Sequence, residues 1–183
     1  MDNIQEKVVE LAWRAIKHYL EHGDKYIPDA KEYTEELFLK ENGVFVTLKK
    51  FNKLRGCIGN IEGNDKVYLS IVDNAVAAAF FDPRFPPVLA EELSEIELEV
   101  SILTKHRRFN YENTDELIAF LEKDKPGVIV EHDGLTATYL PSVWEELPKV
   151  ADFLTSLCLK AGLPQDIWQT EKITIRTYKA IIY

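Results

Sequence analysis

The chain is 183 residues long, 46% hydrophobic and 11% aromatic, values that suit one compact domain, or one domain of two lobes, with ample core. Its 22 basic and 31 acidic side chains give a net charge of −9, which argues against nucleic acid and anionic membranes as partners, because phosphate neutralisation drives such binding. The opening stretch Met1 to Lys7 lacks the apolar run of a secretory signal, no apolar run is long enough to span a bilayer, and two cysteines give no disulfide framework; the expectation is a cytoplasmic protein.

Ile4, Val8, Leu11, Ala15, Ile16 and Tyr19 recur at helical spacing, so residues 3–22 are expected as an amphipathic helix ending near Gly23. A loop carrying Pro28 and a short helix over 34–39 follow. Strands are expected at 44–50 and 54–61, joined by a turn at Phe51-Asn52-Lys53. The run from Val67 to Phe81 has few charges and reads as a helix buried on most sides, stopped by Asp82-Pro83. Glu95 to Ile102 alternates strictly, the pattern of a half-exposed strand with an acidic outer face.

The order then repeats. Asn113 caps a helix to about Glu122, and strands at 127–132 and 135–140 turn at His132-Asp133-Gly134. A helix from Pro148 to Ala161 precedes a closing strand over 172–182, whose apolar residues shift phase midway, as at a bulge or an edge. Both halves read helix, strand, strand, helix, strand, which suggests internal half-repeats over about 34–104 and 114–182 within a single domain spanning 1–183. Gly43-Val44-Phe45-Val46 then echoes Gly127-Val128-Ile129-Val130, with Cys57 opposite Thr138. The fold class expected is α+β: a curved mixed or antiparallel sheet with flanking helices.

The chemistry concentrates in Leu54-Arg55-Gly56-Cys57-Ile58-Gly59. Strand alternation puts Leu54, Gly56 and Ile58 on one face and Arg55, Cys57 and Gly59 on the other. A guanidinium two residues from a thiol favours the thiolate, and glycines let another backbone or a ligand approach closely. Cys57 is therefore the candidate nucleophile and Arg55 its stabiliser. Arg84, fixed between Pro83 and Phe85-Pro86-Pro87, suits two-point binding of an anion, although Asp82 is close enough in sequence to pair with it. Gly56, Gly59, Asn60, Asp82 and Arg84 complete the expected ligand-binding set, with Glu62 and Asn74 as further hydrogen-bonding groups. No histidine is placed to serve as base, and His18 with His22 lacks a third metal ligand, so neither metal nor cofactor is expected. Lys105-His106-Arg107-Arg108 is a cationic patch without the interleaved aromatics of a nucleic-acid site.

The hexapeptide resembles the central motif of the AMMECR domain family. Gly43-Val44-Phe45-Val46-Thr47 leads into it, and matching blocks continue through Ala78-Ala79-Phe80-Phe81-Asp82-Pro83-Arg84-Phe85-Pro86-Pro87, Glu92-Leu93, Glu97 to Leu103, Leu140-Pro141-Ser142-Val143-Trp144 and Lys160-Ala161-Gly162-Leu163, covering roughly residues 43–163. The resemblance implies an α+β fold of two unequal lobes. It also implies kinship with one component of the AmmeMemoRadiSam grouping, beside Memo-type and radical-SAM partner proteins. It implies no settled reaction. Two readings follow: an enzyme, or an enzyme component, acting on a small anionic or thiol-reactive substrate in a groove around the motif; or an adaptor whose groove docks a protein or peptide.

Overall fold

A computed structural model describes residues 2–183, with side chains from Ile4 onward. The chain divides into two compact units, Met1–Leu103 with Ile181–Tyr183, and Thr104–Ala180.

In the first unit, α1 (Asp2–His22) and α3 (Val67–Phe80) cover one face of a sheet, with α2 (Glu36–Leu39) a single turn between α1 and the strands. The strands are β1 (Val44–Lys50), β2 (Lys53–Asn60), β3 (Ile96–Leu103) and β8 (Ala180–Ile182), in the order β2-β1-β3-β8. Val44, Val46 and Leu48 alternate into a core with Leu11 and Ala15 of α1 and Ile71 and Ala75 of α3. The near absence of charge on α3 has its reason here, since ten of its residues are buried. The β1–β2 hairpin closes over Phe51 and Asn52, both at positive φ, 53° and 60°, the conformation a two-residue turn needs to match strand twist.

In the second unit, α4 (Thr114–Asp124) and α6 (Val150–Lys160) pack around a core with strands β4 (Arg107–Phe109), β5 (Gly127–His132), β6 (Leu135–Tyr139) and β7 (Thr174–Tyr178), in the order β4-β7-β5-β6. Single turns α5 (Val143–Glu146) and α7 (Ile167–Thr170) flank α6. Asn113 caps α4 by accepting from the Glu116 amide at 3.0 Å. Trp144 stacks on Phe153 at 3.7 Å and donates its indole N–H to the Pro126 carbonyl, so this tryptophan is core.

The fold is α+β, with the strands divided between two antiparallel sheets rather than gathered in one. Within each sheet a hairpin is followed by a third strand on the far side of its first: β2-β1-β3 and β6-β5-β7. The fourth strands are exchanged. After β3 the chain enters the second unit and pairs as β4 with β7; after β7 it returns as β8 beside β3. The phase shift in the closing strand marks that departure. At the two crossing points the Thr104 amide donates to the Lys179 carbonyl at 2.8 Å, and the Lys179 amide to Thr104 Oγ1 at 2.9 Å. Under the alignment of Gly43–Val46 with Gly127–Val130, the two hairpin registers set Gly59, not Cys57, in the place of Thr138; Cys57 takes that of Thr136.

Candidate functional site

β2 is an edge strand, and its register against β1 shifts between Leu48 and Lys49: Leu48 faces Gly56, while Lys49 faces Leu54. Arg55 is the extra residue of a β-bulge. The bulge corrects the simple alternation. Leu54 shares the face of Lys49, Thr47 and Cys57, Gly56 faces α3, and Arg55 belongs to neither row. Its guanidinium runs instead to the segment after α3. Nε and Nη2 donate to the two oxygens of Glu92 at 3.1 and 2.8 Å, and Nη1 donates to the Pro86 carbonyl at 2.9 Å. With the side chain only 11% exposed, this is a bidentate, largely buried clasp. Arg55 pushes the Glu92 carboxyl down to about 2. The clasp fixes the Pro86–Glu92 segment against β2 and occupies the donors expected to serve a thiolate.

Arg84 sits where the stabiliser was expected. Its Nε and Nη2 donate to the two oxygens of Asp82 at 2.9 and 2.7 Å, and Nη2 also reaches the Cys57 carbonyl at 2.9 Å. Asp82 accepts two further bonds, from the amides of Arg84 and Cys57, at 3.1 and 2.9 Å. Its side chain is buried, and the Arg84 guanidinium beside it holds its carboxyl far below the usual carboxylate range. Both outward-facing peptide groups of Cys57 are thus capped by one Asp82–Arg84 pair, which blocks an otherwise open strand edge. Arg84 itself is 54% exposed. Its hydrogen bonds to Asp82 push the Arg84 pKa up.

The Cys57 thiol is half-buried, 3.3 Å from Thr47 Oγ1 across the hairpin. Next to it on the same face, Lys49 pairs with Glu99 at 2.6 Å, so one glutamate of the acidic strand is neutralised. The glycines serve packing. A Cβ at Gly56 would land on the Ala78 carbonyl of α3, and one at Gly59 on the Phe45 ring and the Val44 carbonyl. Gly56 admits a neighbouring backbone, and neither glycine opens space for a ligand. Asn60 is likewise committed: its amide nitrogen donates to the Glu62 carbonyl, and its oxygen accepts from Asn74, which also reaches the Val44 carbonyl at 2.9 Å.

Of the expected set, Cys57, Asp82 and Arg84 come together, and Arg55 stands apart with Glu92. Thr47 and Glu92 are additions. Both lie in blocks matched to the family, Glu92 in Glu92-Leu93 and Thr47 in the run that leads into the motif, but only the register places Thr47 opposite Cys57. His18 bonds Asp24 at 2.8 Å, and among the described residues no three His, Cys, Asp or Glu side chains group closely enough to hold a metal ion. Among those residues no helix is long and apolar enough to cross a membrane.

A two-unit α+β protein with a loop-capped cysteine on an edge strand is the class these features define. The AMMECR1 family model matches residues 9–183, and the chain belongs to that family. Protein MK0488 of Methanopyrus kandleri is 39% identical over 186 residues, covering 97% of this chain and 86% of that protein. Protein NEQ441 of Nanoarchaeum equitans is 35% identical over 178 residues, covering 96% and 97%. The crystal structure of the uncharacterised protein PH0010 from Pyrococcus horikoshii superposes with a TM-score of 0.85 at 34% identity, covering 97% of this chain and 89% of that one.

Proposed function

We propose that this chain is an enzyme, or a component of one, in which the Cys57 thiol acts on a small anionic or thiol-reactive substrate beside Arg84. The observation that carries the reading is the double anchoring of Arg84 to Asp82 and to the Cys57 carbonyl, which holds a half-exposed cation next to the thiol. A cation so fixed stabilises a thiolate and the anionic part of a substrate without having to be ordered at the moment of reaction. Asp82, strongly ionised and fully bonded, positions Arg84 and is no base. The adaptor reading loses one of its routes, because strand addition at Cys57 would have to displace both caps. Memo-type and radical-SAM proteins remain the partners proposed from the family.

The test is the alkylation rate of Cys57 by iodoacetamide at fixed pH, read by peptide mass spectrometry. Arg84→Gln is expected to slow it severalfold, because the cation held beside the thiol is lost. Arg55→Lys is expected to leave it unchanged. Equal rates in wild type and Arg84→Gln would remove Arg84 from the site.

A further inference from the structure

We propose that the second unit carries a separate anion site, which takes a small phosphorylated compound in a pocket of about 330 Å³ lined by Thr104, Lys105, Arg107, Phe120, Asp124 and Lys179. The volume lies at the small end of the range for ligand pockets. In this acidic chain the basic side chains of the Cys57 site and its surroundings are matched to carboxylates: Arg55 to Glu92, Arg84 to Asp82, Lys49 to Glu99 and Lys50 to Glu95. Lys105, Arg107 and Lys179 are different, for none of the three side chains has an ion-pair or hydrogen-bond partner among the described residues. Three unmatched cations around one concavity, under a net charge of −9, make a local positive field that an anion would complete.

The remaining wall defines the ligand further. Thr104 Oγ1 accepts from the Lys179 amide, which leaves the hydroxyl proton for an outside acceptor such as a phosphate oxygen. Phe120 is stacked on Phe109 at 3.9 Å and 15°, so it is a fixed flat surface rather than a mobile ring. Asp124, at the end of α4, is the one carboxylate in the lining. It opposes a bare anion and accepts from an N–H group on the far side of a ligand. Phosphate at one end and a flat, N–H-bearing group at the other is the chemistry of a nucleoside monophosphate.

The full chain is titrated with inorganic phosphate and with AMP at constant ionic strength, following the amide resonances of residues 104–107 and 177–179. AMP is expected to bind more tightly than phosphate. Lys105→Ala, Arg107→Ala and Lys179→Ala, all at exposed positions, should each weaken both ligands by about tenfold, the scale of one charge-assisted hydrogen bond. Asp124→Asn should tighten phosphate, and Cys57→Ser should change neither ligand, which separates this site from the thiol. Wild-type affinity in all three alanine variants would overturn the site. AMP binding no tighter than phosphate would overturn the aromatic wall, and a single-stranded oligonucleotide binding more tightly than AMP would overturn the small-molecule assignment.

Discussion

The backbone amide of Cys57 donates to the carboxylate of Asp82 at 2.9 Å, joining an edge strand to a residue 25 positions further along the chain. The same carboxylate holds Arg84, which returns to the Cys57 carbonyl. Asp82→Ala therefore removes both caps together and leaves a part-buried amide without an acceptor. The expected cost is about 2–3 kcal/mol, read as a lower denaturant midpoint at unchanged slope. Arg84→Ala, which leaves the buried Asp82 carboxylate without its cation, should also lower the midpoint. A wild-type midpoint in Asp82→Ala would mean that the caps do not hold the edge.

Acid should expose the Arg55–Glu92 clasp. A free glutamate titrates near 4.5, whereas Glu92 in the folded chain is held at about 2 by its hydrogen bonds to Arg55. Between these values the unfolded chain binds a proton that the folded chain does not, so stability is complete above the upper value and is lost as pH falls toward the lower. Asp82 is depressed in the same direction. Melting temperature measured from pH 5 to pH 2.5 should fall less steeply in Glu92→Gln than in wild type. Parallel curves would contradict the assigned cause.

Gly56 offers a sharper packing test. Its missing side chain is the space occupied by the Ala78 carbonyl, and backbone cannot step aside as a flexible side chain can. Gly56→Ala is expected to destabilise the chain by about 3 kcal/mol through forced separation of α3 from β2. Gly23→Ala is the control for a different mechanism, since nothing lies near that Cβ but φ is +76°. It should cost about 1 kcal/mol by backbone strain alone. Equal effects at the two sites would argue against the close approach.

The two thiols should separate cleanly. Cys158 is fully buried in the apolar face of α6, and burial pushes its thiol up to about 11. Cys57 is half-buried and on an outer face. Iodoacetamide should label Cys57 in the native protein and reach Cys158 only on unfolding, with peptide mapping as the readout. Labelling of Cys158 first would reverse the assignment.

The long amphipathic helices and both hairpins were legible because their signals are local: 3.6-residue periodicity in α1, an Asn113 cap on α4, and turn residues at Asp133-Gly134. The bulge at Arg55 was not, because alternation assumes an unbroken register and the extra residue is defined by its partner strand. The clasp with Glu92 and the caps at Cys57 bridge 37 and 25 residues, distances over which one sequence carries no pairing information. The single-turn helices α5 and α7 are too short for periodicity to register. The cysteine and both arginines were singled out from their residue types; which arginine accompanies the thiol depended on the bulge.

The exchange of fourth strands constrains the order in which the protein can assemble as it is made. Residues 1–103 hold nearly all of the first unit, yet β3 acquires its outer neighbour only when β8 pairs with it, with Val100 and Tyr183 exchanging backbone bonds. A nascent chain that has emerged as far as β6 therefore carries β3 with one row of amides and carbonyls unsatisfied, the condition that invites pairing with another chain. The sheet begun first is thus closed by a segment made long after its other three strands, and closure spans 83 residues of sequence, from 100 to 183.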